Sequence, residues 1–465
     1  LHGNNKSSIE IENALKMLNE NDGQRRAFEH EESCVVTACP GSGKTATLAL
    51  KVMRLLETIE APRGLACLTF NNEAVREFRK RLSNFGLQPR QNIVLGTVHS
   101  FCLGSVIRPF GKLYLDDLPF PFRVANDDEV TGALARAMDS VGVNRPLGEY
   151  RSTMNHYRRT HVDRSGSDWL SNPECAAVID AYERTLRGLG LIDFDDQVLF
   201  ALRLIESKQY VRDCLAAKFP WIAIDEYQDL GYPLHRMVKA LMADGKIKVF
   251  AVGDPDQSIY GFMGANPDYL AALAAETGIE SIPLDLNYRC GQRIIDGAEI
   301  VLSSPLERDP KSSRGTRDPG EIIFVERRSG FDSQLETITT EILPQILESG
   351  VEPQDIGILY IDKNDGEKIA EHLIGAGVDF RGERDQRYER SPVTRWIEDV
   401  ANWCVNNKIR TEIKFRTLAS SWESFMEQSG QLVHGVDAIE MRGRLFKLLS
   451  ESRNGDESLS DRQFK

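Results

Sequence analysis

Over the first hundred residues, short apolar runs alternate with stretches of helical periodicity. Ser33–Ala38 is an apolar run ending in a glycine-rich turn, and Lys44–Leu56 carries its apolar residues at helical spacing. Leu65–Phe70 and Asn72–Leu82 repeat that pair, and Ile93–Gly96 adds a further strand. Strands alternating with helices in this way predict a doubly wound parallel sheet. From Phe101 to Phe219 the strand signal gives way to amphipathic spacing, as in Asp128–Val141, where Asn126 and Glu129 are placed as a capping box. Strands resume at Trp221–Ile224, Lys248–Val252 and Ser281–Leu284, so the sheet is assembled from two separated pieces of chain around a helical insertion. A polar stretch punctuated by proline and glycine, Ser303–Gly320, precedes a second alternation, with strands expected at Glu321–Glu326 and Asp355–Ile361. Helical spacing returns after Cys404, in Thr411–Met426 and Val436–Leu449.

Composition narrows this picture. At roughly 150 residues per domain, 465 residues is a prior for about three domains. A hydrophobic fraction of 41% and a charged fraction of 27% exclude a disordered or fibrous chain. The net charge of −13 excludes binding to nucleic acid by bulk charge, while leaving room for a local basic groove. No apolar run reaches the roughly 18–20 residues that span a bilayer, and Leu1–Lys6 lacks a secretory core, so a cytoplasmic protein away from membranes is expected. The eight cysteines are scattered without CxxC pairs, which predicts reduced, structural thiols rather than disulfides or a zinc site.

Two segments carry the chemistry. Ala38-Cys39-Pro40-Gly41-Ser42-Gly43-Lys44-Thr45 matches a phosphate-binding loop between a strand and a helix, with Ala38 in place of the first glycine. The loop turns at Pro40, and successive N–H groups from Gly41, Ser42 and Gly43 on to Ala46 would cradle the phosphates of ATP, Lys44 would reach the β and γ groups, and Thr45 would ligate Mg²⁺. Ile222–Glu226 is an apolar strand ending in two acids, which suits Asp225 as a second Mg²⁺ contact and Glu226 as the base that positions water. Gly253–Phe262 follows another strand. Its Gln257 is placed to sense a γ-phosphate, and Tyr260 and Phe262 offer faces on which bases can stack.

Together these segments resemble the motifs of the superfamily 1 DNA helicases of the UvrD/Rep kind. Asn19–Phe28, with Gln24, is similar to that family's adenine-reading motif, and Leu68–Ala74 and Gly96–Phe101 to its two single-strand contact motifs. Leu284–Arg289 is similar to the segment whose tyrosine, here Tyr288, stacks on adenine and whose arginine, here Arg289, reaches the γ-phosphate across a domain cleft. Ile356–Tyr360 and Tyr388-Glu389-Arg390 resemble a later signature. Met263 stands where the family usually has an arginine, Ala46 where a basic residue is usual, and the last two family motifs do not occur before Lys465. The remainder of a second nucleotide-binding domain is therefore expected beyond Lys465.

The resemblance implies an α/β protein with two RecA-like domains, each carrying a helical insertion: residues 1–97 and 215–280 as the first, 98–214 as its insertion, 281–405 as an incomplete second, and 406–465 as the start of the second insertion. It implies an ATP-dependent 3′-to-5′ translocase that unwinds duplex DNA, with single-stranded and tailed duplex DNA as partners. Lys44, Glu226, Gln257 and Arg289 would be catalytic. Thr69, Phe70, Asn71, Thr97, His99, Tyr260 and Phe262 would contact the strand. Two rival functions are the motor half of a helicase–nuclease, with the nuclease on a protein partner, and an ATP-gated DNA-binding regulatory subunit. Asp193–Asp196 is read as a helix cap, and Arg76–Arg81 as a solvated helix face. Tyr157–His161 is left between a duplex contact and structure.

Overall fold

The computed structural model describes residues 16–85 (17 and 19 aside), 92–302 (165 aside), 310–382 (316, 317, 328 and 329 aside), 392–405, 415–428 and 442–450 (448 aside). The chain forms two compact units, Leu1–Ile323 and Phe324–Lys465. The first unit is built on a six-stranded sheet of β1 (Cys34–Ala38), β2 (Leu65–Thr69), β3 (Ile93–Thr97), β4 (Trp221–Ile224), β5 (Lys248–Gly253) and β6 (Glu280–Leu284). Their spatial order is β3-β2-β4-β5-β1-β6, parallel throughout. Both faces are covered, which is why the strands read as unbroken apolar runs. Val35, Leu68, Ile222 and Val249 pack with Phe101, Val198 and Leu202 on one face, and Val36, Cys67, Ala223 and Phe250 pack with Leu48, Val52 and Phe78 on the other.

Helices α2 (Lys44–Thr58) and α3 (Asn72–Asn84) lie where the periodicity places them, and α1 (Asp22–Glu29) precedes β1. Strand β6 lies beyond the boundary expected at residue 280, and the unit runs on to Ile323, because a strand belongs with the neighbour that satisfies its backbone, here β1.

The insertion holds α4 (Asp127–Val141), α5 (Leu147–Thr160) and α6 (Pro173–Gly188), with their own core of Leu134, Met138, Tyr150, Met154, Ile179 and Tyr182, and α7 (Phe194–Ser207), which packs on the sheet. Asn126 and Glu129 form the expected capping box on α4. The region is not wholly helical, since Arg123–Val124 and Leu191–Ile192 pair as a two-strand bridge. Asp193 and Asp196 cap α7 reciprocally. The same acids, with Glu183, enclose the Arg158 guanidinium, whose side chain is 0% exposed. Tyr157 is buried too and donates to the Trp169 carbonyl at 2.7 Å. Neither residue can meet a duplex. Arg76, Arg79 and Lys80 do lie on a solvated face of α3.

In the second unit the described residues form helices, among them Lys363–Gly375, Pro392–Val405 and Phe415–Gln428. Leu335, Leu343, Ile369 and Leu373 make one small core and Trp403, Cys404, Leu418 and Leu449 another. The strands expected at 321–326 and 355–361 do not form, and Phe324 and Leu359 are almost fully exposed. An apolar run becomes a strand only when another strand pairs with it, and the run itself does not supply that partner. Tyr388–Arg390 lies outside the described residues. All eight cysteines are free, and burial pushes the Cys34 and Cys102 thiols up to about 12. Among the described residues no helix is long and apolar enough to cross a membrane.

Arg158→Ala leaves buried carboxylates without their cation, so urea denaturation should show a loss of about 3–5 kcal/mol. Arg164→Ala removes a partly exposed partner of the same Glu183 and should cost less than about 1 kcal/mol. Equal losses in the two variants would contradict the buried network.

Candidate nucleotide and single-strand site

Three strands of the parallel sheet deliver their carboxyl ends to one edge. Beyond β1 the chain turns through Cys39–Gly43 into α2, with Gly41 at φ 72° and Gly43 at φ 85°, a region that side chains avoid. The loop is also crowded: a Cβ on Gly41 would fall 2.6 Å from the Arg289 Cβ, and one on Gly43 2.6 Å from Gln24 Nε2. Its carbonyls are engaged by neighbouring segments. Asn287 Nδ2 donates to the Pro40 carbonyl at 2.6 Å, the Tyr288 amide to that of Gly41 at 2.9 Å, and Gln24 Nε2 to that of Ser42 at 2.8 Å. The N–H groups of the first turn of α2, which holds Thr45 and Ala46, have no intrahelical acceptors and make the anion-binding end.

Lys44 is buried and bound at its tip. Its Nζ donates to Gln257 Oε1 at 3.2 Å and lies 3.6 Å from Asp254 Oδ2, while Gln257 Nε2 donates to that same carboxylate at 2.8 Å. The sheet thus brings Lys44 and Gln257 together. Asp254, fully buried, completes the triangle and was missed, although its position at the end of an apolar strand was the available signal.

Beyond β4, Asp225 is buried. Burial, and then the charge of Glu226, lift its carboxyl to about 7 against the pull of Lys44. Asp229 is raised to about 6 by burial and by Glu226. Among the described residues Glu226 is the one non-glycine with left-handed backbone, φ 55°, a conformation that costs roughly 1–3 kcal/mol. Gln228 holds it: Nε2 donates to Glu226 Oε2 at 2.7 Å, and Oε1 accepts from the Asp254 amide at 3.0 Å. Gly253 leaves room for that amide group, since a Cβ there would fall 2.7 Å from Gln228 Oε1. Asp225 and Thr45 fit a Mg²⁺–nucleotide, because Mg²⁺ takes one or two protein oxygens and the rest from phosphate and water, and because the charge of Lys44 does not offset the burial of Asp225.

The adenine-reading candidates meet through a residue the sequence reading passed over. Asn21 caps α1 by accepting from the Gln24 amide at 3.0 Å, and its Nδ2 donates to the Tyr288 hydroxyl at 2.9 Å. Arg289 is exposed and lies in the same unit as the phosphate loop, not across a cleft from it, because Asn287 Oδ1 accepts from its amide and Asn287 is bonded to Pro40.

Phe70, Tyr260 and Phe262 form a ladder, with ring centroids 5.2 Å and 6.3 Å apart and Phe262 72% exposed. Thr69 and Asn71 are engaged in their own turn: the Thr69 hydroxyl donates to the Asn71 carbonyl, and Asn71 Oδ1 caps α3. Thr97 likewise accepts from the Ser100 amide. His99 stacks on Phe194 with centroids 3.8 Å apart, and burial, then the charge of Arg159, hold its pKa near 4, so it is neutral at physiological pH. Phe194 is an exposed ring that was missed; an aromatic inside an acidic helix cap was the signal.

Two outcomes follow. Gly41→Ala should lower ATP affinity at least tenfold in a fluorescent-nucleotide titration while the fold is kept, and unchanged affinity would contradict the packed loop. Asp225 has a folded pKa above its unfolded value, so the ligand-free protein loses stability as pH rises from about 4 through about 7. Asp225→Asn should therefore leave the melting temperature nearly unchanged near pH 3.5, below the unfolded value, and raise it progressively up to pH 8; a difference independent of pH would refute the buried carboxylate.

The profile of the UvrD/REP helicase N-terminal domain matches residues 20–277. The putative ATP-dependent DNA helicase YjcD of Bacillus subtilis is 24% identical over 78% of this chain and 48% of its own length. ATP-dependent DNA helicase Rep of Salmonella typhimurium is 26% identical over 73% and 51%, and ATP-dependent DNA helicase PcrA of Staphylococcus aureus 27% over 71% and 46%. The chain spans about half the length of these curated relatives. The matched region contains the phosphate loop, both acids, Gln257 and the aromatic ladder, and the chain belongs to the UvrD/REP helicase family.

Proposed function

We propose that this chain is the ATP-hydrolysing part of a cytoplasmic DNA translocase that unwinds tailed duplexes, moving 3′ to 5′ along single-stranded DNA. One observation carries the reading. Gln257, bonded to Lys44, and the rings of Tyr260 and Phe262 lie within one short segment beyond β5, on two successive 3-10 turns, so a change at the γ-phosphate and a change under a stacked base act on neighbouring residues. In this reading Lys44 neutralises the β and γ phosphates, and Asp225 and Thr45 hold Mg²⁺, which when bound offsets phosphate charge. Glu226, fixed by Gln228, accepts the proton of the attacking water, Gln257 senses the γ-phosphate, and Arg289 stabilises charge in the transition state. Gln24 and Tyr288, joined through Asn21, bound the adenine site. Residues 98–214 are the insertion of the first RecA-like domain, and a second begins beyond its sheet.

Steady-state ATP hydrolysis with and without oligothymidine tests this. Single strand should stimulate the wild type at least tenfold, and Glu226→Gln should lower turnover on the order of 10²-fold or more. Hydrolysis indifferent to single strand would sink the translocase reading. Strand separation on a 3′-tailed but not a 5′-tailed duplex is the expected polarity.

A further inference from the structure

Met263 leaves the turn that carries Phe262 without a side-chain cation of its own, yet a guanidinium sits there. Arg159, at the end of α5 in the helical insertion, donates from Nη1 to the Met263 carbonyl at 2.9 Å and from Nε to Asp195 Oδ1 at 2.8 Å. The two acceptors lie on two different elements, and the planar fork satisfies both at once. Asp195 is held in turn, in the first turn of α7, next to the buried Arg158 network. The Arg159 stem also lies against Gly264, whose φ of 91° closes the turn, with a Cβ there falling 3.6 Å from the Arg159 Cβ. Inside the turn, the Met263 amide donates to the Tyr260 carbonyl at 2.8 Å. On the far side, Gly231 bridges Ala265 and the Asn266 amide donates to the Leu230 carbonyl at 3.2 Å. Phe262 therefore projects from a turn fastened at one end to the β4 loop and at the other to the helical insertion.

We infer that Arg159 is a positioning residue for the Phe262 platform: locked by Asp195, it pins the Met263 carbonyl and joins the helical insertion to the turn that carries the stacking ring. The inference rests on the reading of Phe262 as a base platform. Arg159 does not reach the phosphate loop residues, and its effect passes through the orientation of the ring. A charge-only role and a fork role are separable, because Arg159→Lys keeps the charge but cannot bond the carboxylate and the carbonyl together.

The test is a double-mutant cycle on the full chain, read by anisotropy of labelled oligothymidine, with DNA-free ATP hydrolysis and melting temperature alongside. Phe262→Ala should weaken binding about tenfold. Arg159→Ala should weaken it about fivefold, Arg159→Lys by the same factor, and Arg159→Ala should add nothing in the Phe262→Ala background. DNA-free hydrolysis should stay at the wild-type rate in both Arg159 variants. Full binding by Arg159→Lys would assign a phosphate contact instead, and an equal loss with and without the Phe262 ring would assign general stability; either overturns the proposal. If Phe262→Ala binds as wild type, the platform reading fails and the proposal with it, whereas a weak Phe262→Ala beside an unaffected Arg159→Ala overturns the proposal alone.

Discussion

The register of three parallel strands sets everything at the site. Thr37 of β1 stands opposite Gly253 of β5, and Ile224 of β4 opposite Ala251 of the same strand. With β5 between the other two, the residues that follow each strand, the phosphate loop, Asp225–Glu226 and Asp254–Gln257, must emerge side by side at the carboxyl edge, where open α/β sheets take their ligands. Shifting β5 by one residue would turn its apolar set toward the wrong layer, so the two buried faces that stabilise the sheet also enforce the juxtaposition of Lys44, Gln257 and Glu226.

Buried acids are paired differently in the two parts of the first unit, although burial raises some of them in each, Asp196 of the insertion to about 6. In the helical insertion Arg158 faces Asp193, Asp196 and Glu183 with hydrogen bonds in place, and Arg187 adds a second cation to Asp196. That cluster is electrically answered, and it makes structure. At the sheet edge Asp225, Asp229 and Asp254 face one lysine with Glu226 beside them, and burial lifts Asp225 and Asp229 toward neutrality. Surplus negative charge at a buried edge is a standing demand for a cation, which Mg²⁺–nucleotide would meet. The left-handed backbone of Glu226, held by Gln228, belongs to the same pattern of local cost concentrated where function is placed.

What could be read from the sequence was local. The run Cys34–Ala38, the glycines of the phosphate loop and the Asn126 cap each carry their meaning within a few residues. The residues passed over act across distance: Asn21 meets Tyr288, Gln228 meets the Asp254 amide, and Arg159 meets Met263, and no spacing along the chain announces such pairs. Phe194 was hidden by the acids around it, which were read correctly as a cap. The apolar runs at 321–326 and 355–361 show the opposite limit, since their pattern is that of strands and the described residues pair no strand with them.

In the proposed function nucleotide and single strand act on one short segment beyond β5, and linkage measures that coupling most directly. Oligothymidine affinity would be titrated without nucleotide and with a saturating non-hydrolysable ATP analogue and Mg²⁺, and analogue affinity with and without saturating oligothymidine. The account predicts that each ligand changes the affinity of the other by the same factor, about fivefold or more. Two ligands that bind without affecting each other would contradict it.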